Sequence, residues 1–212
     1  MNTKPTIEEL HNPEIFELFA SVEQKRIKDF VLQQVMSDKK LIPVYMVYQT
    51  LLFLAGIFFF TRSVVLAYKG NPYYLLYMAG AVIFSLTFLV VIHELLHGTA
   101  LKLAGAPKVA FGGILSKFIF FAEADRFIMD KKTFLLVAFT PLVVIKLLTI
   151  AGIILFFTVP ALYFFLGVMV VHSFFCSGDV ALATIFYRFP GRDTYTYDHS
   201  GEKKSYYFVK KM

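Results

Sequence analysis

The chain has 212 residues, of which 58% are hydrophobic and 17% charged, with 25 Phe, 12 Tyr and no Trp. This composition excludes an ordinary soluble domain, in which roughly 45–50% of the residues are apolar. The formal net charge of +6 does not indicate a nucleic-acid partner, because the basic residues are distributed as in a membrane protein. The single cysteine, Cys176, excludes an internal disulfide.

The first 40 residues are polar and charged and lack the pattern of a cleavable signal, so we expect the N-terminus to be retained. Residues 13–36 place apolar side chains at mostly three- and four-residue spacing, after the capping pair Asn12-Pro13. This spacing predicts an amphipathic helix on the inner membrane surface. The alternative is a helix packed on a cytoplasmic domain.

Four segments are long and apolar enough to cross a bilayer, which takes about 20 residues of helix. They are residues 41–61, with a continuation to 68 as an option, 73–101, 133–159 and 161–187. Six of the 21 Lys and Arg residues lie in 1–40, six in 101–132 and six in 188–212, whereas only Arg62 and Lys69 separate the first two spans. The positive-inside rule therefore predicts that both termini and the middle loop face the cytoplasm.

Two stretches outside the spans alternate as strands do. In residues 109–124, β-branched and aromatic side chains flank Gly112-Gly113, which predicts an interfacial β-hairpin with the glycines at its turn. Residues 193–211 alternate around His199-Ser200-Gly201-Glu202 and predict a second hairpin.

These features predict an all-α integral membrane protein with four transmembrane helices, cytoplasmic N- and C-termini, and two short β-hairpins. We expect three regions: a cytoplasmic amphipathic helix in residues 1–40, a four-span membrane domain in 41–187, and a cytoplasmic tail in 188–212. Glu123 and Asp125, in the loop after the second span, are expected to be solvated.

The second span contains His93-Glu94-Leu95-Leu96-His97, an H-E-x-x-H pattern on a predicted helix. Histidines four residues apart lie on one helix face and can bind one Zn²⁺, while Glu94 lies beside the metal and can take a proton from a bound water. Glu94 is the only formally charged residue between 73 and 101. A charge at bilayer depth costs about 2.5–3.5 kcal/mol on insertion scales, so an isolated acid there indicates a functional group.

A catalytic zinc takes three protein ligands and leaves one position for water. Asp179 is the only formally charged residue between 161 and 187, and it precedes the inner end of its span by eight residues, as His93 does in the second span. At 1.5 Å per residue, both lie roughly 12 Å below the inner surface. We expect Asp179 to be the third ligand, with His172 and Cys176 as alternative ligands or supporting residues.

The third span offers candidates for substrate contact. Pro141 has no backbone N–H, so it should kink the helix and leave the carbonyl of Val137 unpaired. Irregular backbone at membrane depth is tolerated where it lines a cavity, which makes Thr140 and Pro141 candidates. Lys146 lies nearer the middle of the span, where a snorkelling or acid-paired lysine is as good an interpretation as an oxyanion stabiliser in contact with substrate.

Together, the H-E-x-x-H pattern in a membrane helix, the Gly-containing extended stretch after it, Pro141 and Gly178-Asp179 resemble the site-2-protease-like intramembrane zinc metalloproteases. More narrowly, residues 73–190 resemble a bacterial family of membrane zincin peptidases. The resemblance implies one Zn²⁺ per chain and a location in the bacterial cytoplasmic membrane. Two features depart from the family pattern: glycine precedes Asp179 instead of following it, and the Asn-Pro element is present only as Thr140-Pro141.

By the same resemblance, the stretch at 109–121 adds substrate as an extra strand, so Gly112 and Gly113 are candidate substrate contacts. An ordinary interfacial loop is the alternative.

The sequence thus predicts a zinc-dependent intramembrane endopeptidase that cleaves membrane-spanning or membrane-associated protein segments near the cytoplasmic face. Glu94 is expected to act as general base on a zinc-bound water. The expected partners are a membrane protein substrate and the lipid bilayer, and a homodimer is an open option. Two alternatives remain: a divalent-metal carrier, which should need ligands at several depths, and a catalytically silent protein that binds membrane helices.

Overall fold

The computed structural model describes residues 4–114 and 119–212, and this part of the chain is mostly helical with two small antiparallel sheets. In chain order the helices are α1 (Ile7–Leu10), α2 (Ile27–Ser37), α3 (Leu41–Tyr68), α4 (Tyr73–Phe84), α5 (Val90–Leu103), α6 (Lys131–Leu155), α7 (Leu162–Phe175) and α8 (Ser177–Ala183). The strands are β1 (Phe16–Glu23), β2 (Ala110–Ile114), β3 (Ile119–Glu123), β4 (Met129–Asp130), β5 (Thr194–His199) and β6 (Lys204–Lys210).

Three helical rods in the described residues are long and apolar enough to span a membrane. They are α3, the rod Tyr73–Leu103 formed by α4 and α5 across a π-helical turn, and α6. A fourth candidate is the pair of α7 and the segment Ser177–Tyr187, which passes the same test only when the two are taken together and is bent by 40°. The spans predicted from hydropathy therefore coincide with helices, and their number is three, or four if the bent pair crosses as one.

Helix α7 packs against α3, α4 and α6. The buried residues between these helices are apolar, as in the cluster of Ala81, Leu89, Ile145 and Val168. The outward faces are apolar as well: Leu51, for example, is 64% exposed. A continuous apolar outer surface of this kind suits contact with lipid.

The N-terminal segment differs from the helix predicted over residues 13–36, because residues 16–23 form strand β1 and the helix begins only at Ile27. Strand β1 pairs antiparallel with β6, and a bulge between Leu18 and Ala20 shifts the register. The bulge explains the error. It breaks the two-residue alternation of a strand, so Phe16 packs into one apolar cluster whereas Phe19 and Val22 pack into another. Phe16, Phe19 and Val22 follow one another at three-residue spacing, which resembles a helix.

The predicted C-terminal hairpin is confirmed as β5 and β6, but it belongs to a four-stranded sheet in the order β1-β6-β5-β4. One face of this sheet packs on α1 through Tyr197 and Phe208. The other face packs through Tyr207 on Ile185 and Phe186, at the end of the bent pair. The sheet therefore lies directly against one end of the helical bundle.

The predicted hairpin after the second span is also present, as β2 paired antiparallel with β3. Its turn was predicted wrongly: Gly112 and Gly113 lie within β2, opposite Phe121 and Phe120, and the connection at 115–118 lies outside the described residues. A Cβ atom at Gly112 would come within 2.6 Å of the Phe121 ring. Glycine is therefore needed there because an aromatic ring crosses the strand, and not because the chain turns.

Candidate metal centre

His93, His97 and Asp179 lie together where α5 faces α8. The two Nε2 atoms of the histidines are 3.1 Å apart. The carboxylate of Asp179 bridges them, with Oδ2 at 3.2 Å from Nε2 of His93 and Oδ1 at 3.3 Å from Nε2 of His97. The 40° bend just before α8 lies within three residues of Asp179 and sets the direction of the helix that carries it.

These separations fit a zinc ion. Zinc with tetrahedral geometry holds nitrogen and oxygen ligands at about 2.0–2.1 Å, which places the ligand atoms about 3.3 Å from one another. Oε2 of Glu94 is buried without a hydrogen-bond partner among the residues described, and Oδ2 of Asp179 is buried with only the imidazole nitrogen of His93 beside it. Because an unpaired buried polar atom is costly, a cation bound between these groups would remove that cost.

Each histidine is held through its other ring nitrogen. Nδ1 of His97 lies 2.9 Å from the carbonyl oxygen of Val137 in α6. Nδ1 of His93 lies 3.1 Å from Nε2 of His172, which is fully buried in α7. Contacts of this kind orient a ligating imidazole and fix its tautomer.

The alternative ligands lie behind His93. Sγ of Cys176 is 3.6 Å from Nε2 of His172, and these two side chains form a second group of metal-ligating type together with His93. His172 approaches Nδ1 of His93, whereas His97 and Asp179 approach Nε2. An ion bound to Nε2 of both helix-α5 histidines therefore lies beside Asp179, across the imidazole from His172.

The hairpin is fitted closely to the helix that carries the histidines. A Cβ atom at Gly98 would lie 2.5 Å from the ring of Phe111 in β2, so the glycine that follows His97 lets the strand approach α5. Ala122 of β3 and Glu94 line the same cavity, so the hairpin lies beside the carboxylate. Oε2 of Glu94 is buried with no hydrogen-bond partner among the described residues.

A cavity of about 570 Å³ is lined by His93, His97, Asp179 and Glu94. Its apolar wall comes from α5, α6, α7 and β3. Its polar wall comes from the N-terminal segment and the four-stranded sheet, and the residues that contribute are Gln24, Lys28, Asp198, Ser205 and Tyr207. The motif thus lies at one end of a cavity whose other end is formed by residues distant in the sequence.

Both loop acids accept hydrogen bonds. Asp125 is exposed, as expected for a solvated acid, whereas Glu123 is half-buried and departs from that expectation. Glu123 lines the cavity and accepts hydrogen bonds from Nε2 of Gln24 at 2.8 Å and Oγ of Ser200 at 3.0 Å. Asp125 accepts from the backbone N–H of Ser200 at 2.8 Å. Asp198 accepts from Oγ of Ser205 at 2.5 Å. The sequence carried no signal for these contacts, because they depend on the sheet.

Two predicted substrate contacts lie elsewhere. Thr140 donates to its own helix, and Lys146 donates to the carbonyl of Met169 in α7 at 2.6 Å. Neither is among the described residues that line the cavity, and the same holds for Pro141, Gly112 and Gly113. Strand β3, the partner of the two glycines, lines it instead. Lys146 is thus paired with backbone and not with an acid.

A family model described as "putative zincin peptidase" matches residues 86–193, which are 108 of the 212 residues and so just over half of the chain. The matched range contains the H-E-x-x-H pattern, the β2–β3 hairpin, α6 and Asp179, and it ends before β5. No curated protein and no solved structure matches the chain significantly.

Proposed function

The chain belongs to this zincin peptidase family, and from that premise we propose that it is a zinc-dependent intramembrane endopeptidase of the site-2-protease type. Membership supports a zinc metallopeptidase. The intramembrane assignment is supported by apolar helices long enough to span a bilayer. One observation carries the proposal: the ligand atoms of His93, His97 and Asp179 converge to within 3.3 Å inside these helices. We propose that they hold one Zn²⁺ per chain.

Zinc, when bound, would polarise the scissile carbonyl and lower the pKa of a nearby water molecule. Glu94 borders the cavity with an unpaired Oε2, so it can accept a proton from the attacking water as general base. The water oxygen bonds to the carbonyl carbon, the C–N bond breaks, and Glu94 returns the proton to the leaving nitrogen. One water is consumed for each bond cleaved.

The substrates we propose are membrane-spanning or membrane-associated protein segments, cut near the cytoplasmic face of the bacterial cytoplasmic membrane. The apolar wall of the cavity is formed by side chains such as Leu86, Val90 and Phe175, which suits a segment drawn from the lipid phase. In the part of the chain described, β2 and β3 form a two-stranded sheet, and an extended substrate could add to it as a further strand.

The test is to purify wild type, Asp179→Ala and Glu94→Gln in nanodiscs and to measure zinc per chain and cleavage of single-span model peptides. Wild type and Glu94→Gln should each hold about one zinc, and Asp179→Ala should lose it. Cleavage should fall by about 10²–10⁴-fold in Glu94→Gln, the contribution typical of a general base.

Two results would overturn the proposal. One is wild-type protein that binds no zinc from zinc-containing buffer, and the other is cleavage that persists unchanged in Glu94→Gln. Zinc uptake into sealed vesicles that survives Glu94→Gln would instead indicate a metal carrier.

A further inference from the structure

The carbonyl of Val137, which contacts His97, belongs to α6 and lies four residues before Pro141 in the same helix. In an α-helix the carbonyl of residue i accepts from the N–H of residue i+4. Pro141 occupies that position for Val137, inside α6 and fully buried. It has no N–H to give, and its ring crowds the carbonyl four residues earlier. The Val137 carbonyl is therefore released from the helix in a buried environment.

A buried carbonyl without a partner is unfavourable, because it has lost its hydrogen bond to water and gained none in return. Here it accepts from Nδ1 of His97 at 2.9 Å. Since a carbonyl can only accept, Nδ1 must carry the hydrogen, and in the neutral ring this leaves the lone pair on Nε2. Nε2 is the atom that faces His93 and Asp179.

We propose that Pro141 is a positioning residue of the metal centre: it frees the Val137 carbonyl, which fixes the tautomer and orientation of His97. The proposal rests on the proposed function, in which His97 is a zinc ligand. It gives the two histidines different supports, since His93 is held by a side chain, His172, and His97 by main chain made available by a proline.

The chain offers a matched control. Pro43 lies in the first turn of α3, where a backbone N–H has no partner within the helix in any case. Its replacement therefore restores an N–H without withdrawing a carbonyl from any histidine. Pro43→Ala removes the same ring from a helix of the same kind and should leave zinc binding unchanged.

The test replaces Pro141 by alanine and, in a second variant, by lactic acid through nonsense suppression. Lactic acid has the alanine side chain but puts an ester oxygen where alanine has its N–H. In Pro141→Ala the new N–H competes for the Val137 carbonyl, so zinc affinity, measured by competition with a chelator, should fall by about 10-fold, as for lost outer-shell contacts. The lactic-acid variant should recover an affinity close to wild type, and the visible spectrum of bound Co²⁺ should change only in Pro141→Ala.

Equal weakening in the alanine and lactic-acid variants would assign the effect to the ring and overturn the proposal, as would wild-type affinity in Pro141→Ala. Wild-type protein that binds no zinc would count against the proposed function itself. A second measurement needs no substitution at Pro141. In ¹⁵N spectra of histidine-labelled wild type, the signal that is absent from the His97→Gln variant belongs to His97. That signal should report a protonated Nδ1, and a protonated Nε2 would contradict the inference.

Discussion

Each end of the cavity holds a half-buried carboxylate, and the surroundings of the two are opposite. At the helical end, Asp179 lies against two imidazoles and keeps a buried oxygen without a hydrogen-bond donor. At the sheet end, Asp198 accepts from the hydroxyl of Ser205, close to the carboxylate of Glu123. The helical end gathers lone pairs that a cation would satisfy, whereas the sheet end supplies a donor of its own. A half-buried carboxylate therefore indicates a metal only where its neighbours have no N–H or O–H to donate to it.

Among the substitutions that test this contrast between the two ends, those at His172 should have the largest effect, which is a loss of zinc affinity. His172→Leu removes the acceptor for Nδ1 of His93, so zinc affinity should fall by about 10–100-fold, measured by competition with a chelator. The His172→Gln variant keeps an acceptor, so its zinc affinity should fall less. Cys176→Ala alters only a neighbour of His172, so the zinc affinity of that variant should stay near the wild-type value. Unchanged affinity in His172→Leu would show that the histidine does not support the site.

An intermediate effect is expected at the sheet end, where burial raises the pKa of the Asp198 carboxyl to about 6 and the carboxylates of Glu123 and Asp125 act in the same direction. The folded protein then holds this proton more tightly than the unfolded chain does. The stability that Asp198 contributes is therefore full below about pH 4 and is lost as the pH rises through about 6.

Asp198→Asn removes this dependence and keeps an acceptor for Ser205. The shift of about two pKa units corresponds to at most about 3 kcal/mol, and Asp198 is only partly buried. We therefore expect about half of that value at neutral pH, or a rise in Tm of roughly 3–6 °C, measured by far-UV circular dichroism, with zinc affinity unchanged. A lower Tm at neutral pH in the variant would contradict the assignment.

The smallest effect is expected where the two regions join. Asp130 ends β4 and caps α6, and its Oδ1 accepts from the backbone N–H of Thr133 at 3.0 Å. Asp130→Ala should lower the free energy of unfolding by about 1 kcal/mol and Tm by about 2–4 °C. Asp130→Asn keeps the cap and should lower neither. Zinc affinity should not change in either variant, and a matching loss of affinity would show that the two ends of the cavity are not independent.

The helical end of the cavity could be predicted because helices are regular. Counting 1.5 Å per residue from the span ends was enough to bring His93 and Asp179 to one level, and the missing N–H of Pro141 pointed to a free carbonyl at Val137. The partner of that carbonyl could not be predicted, since it depends on how α5 and α6 pack. The inward direction of the termini and the identity of the substrate stay predictions.

The sheet end was largely hidden from the sequence. Strand β1 was taken for helix because its bulge disturbs the alternation, and without β1 nothing placed Gln24 beside Glu123. The pairing of β1 with β6 joins Glu23 to Lys204, a contact across most of the chain that no local pattern specifies. The turn was wrongly placed at the glycines of β2 for a related reason: Gly112 is needed because the Phe121 ring of the neighbouring strand packs against it.

The strand order also sets a sequence of events during biosynthesis. In the described chain β1 pairs with β6 alone, and β6 leaves the ribosome after every helix of the bundle. The first strand therefore has no partner in the sheet until all the apolar helices have been synthesised. The polar wall of the cavity is closed last, so a nascent chain that stops after α8 would carry the side chains of His93, His97 and Asp179 in a chamber still open on one side.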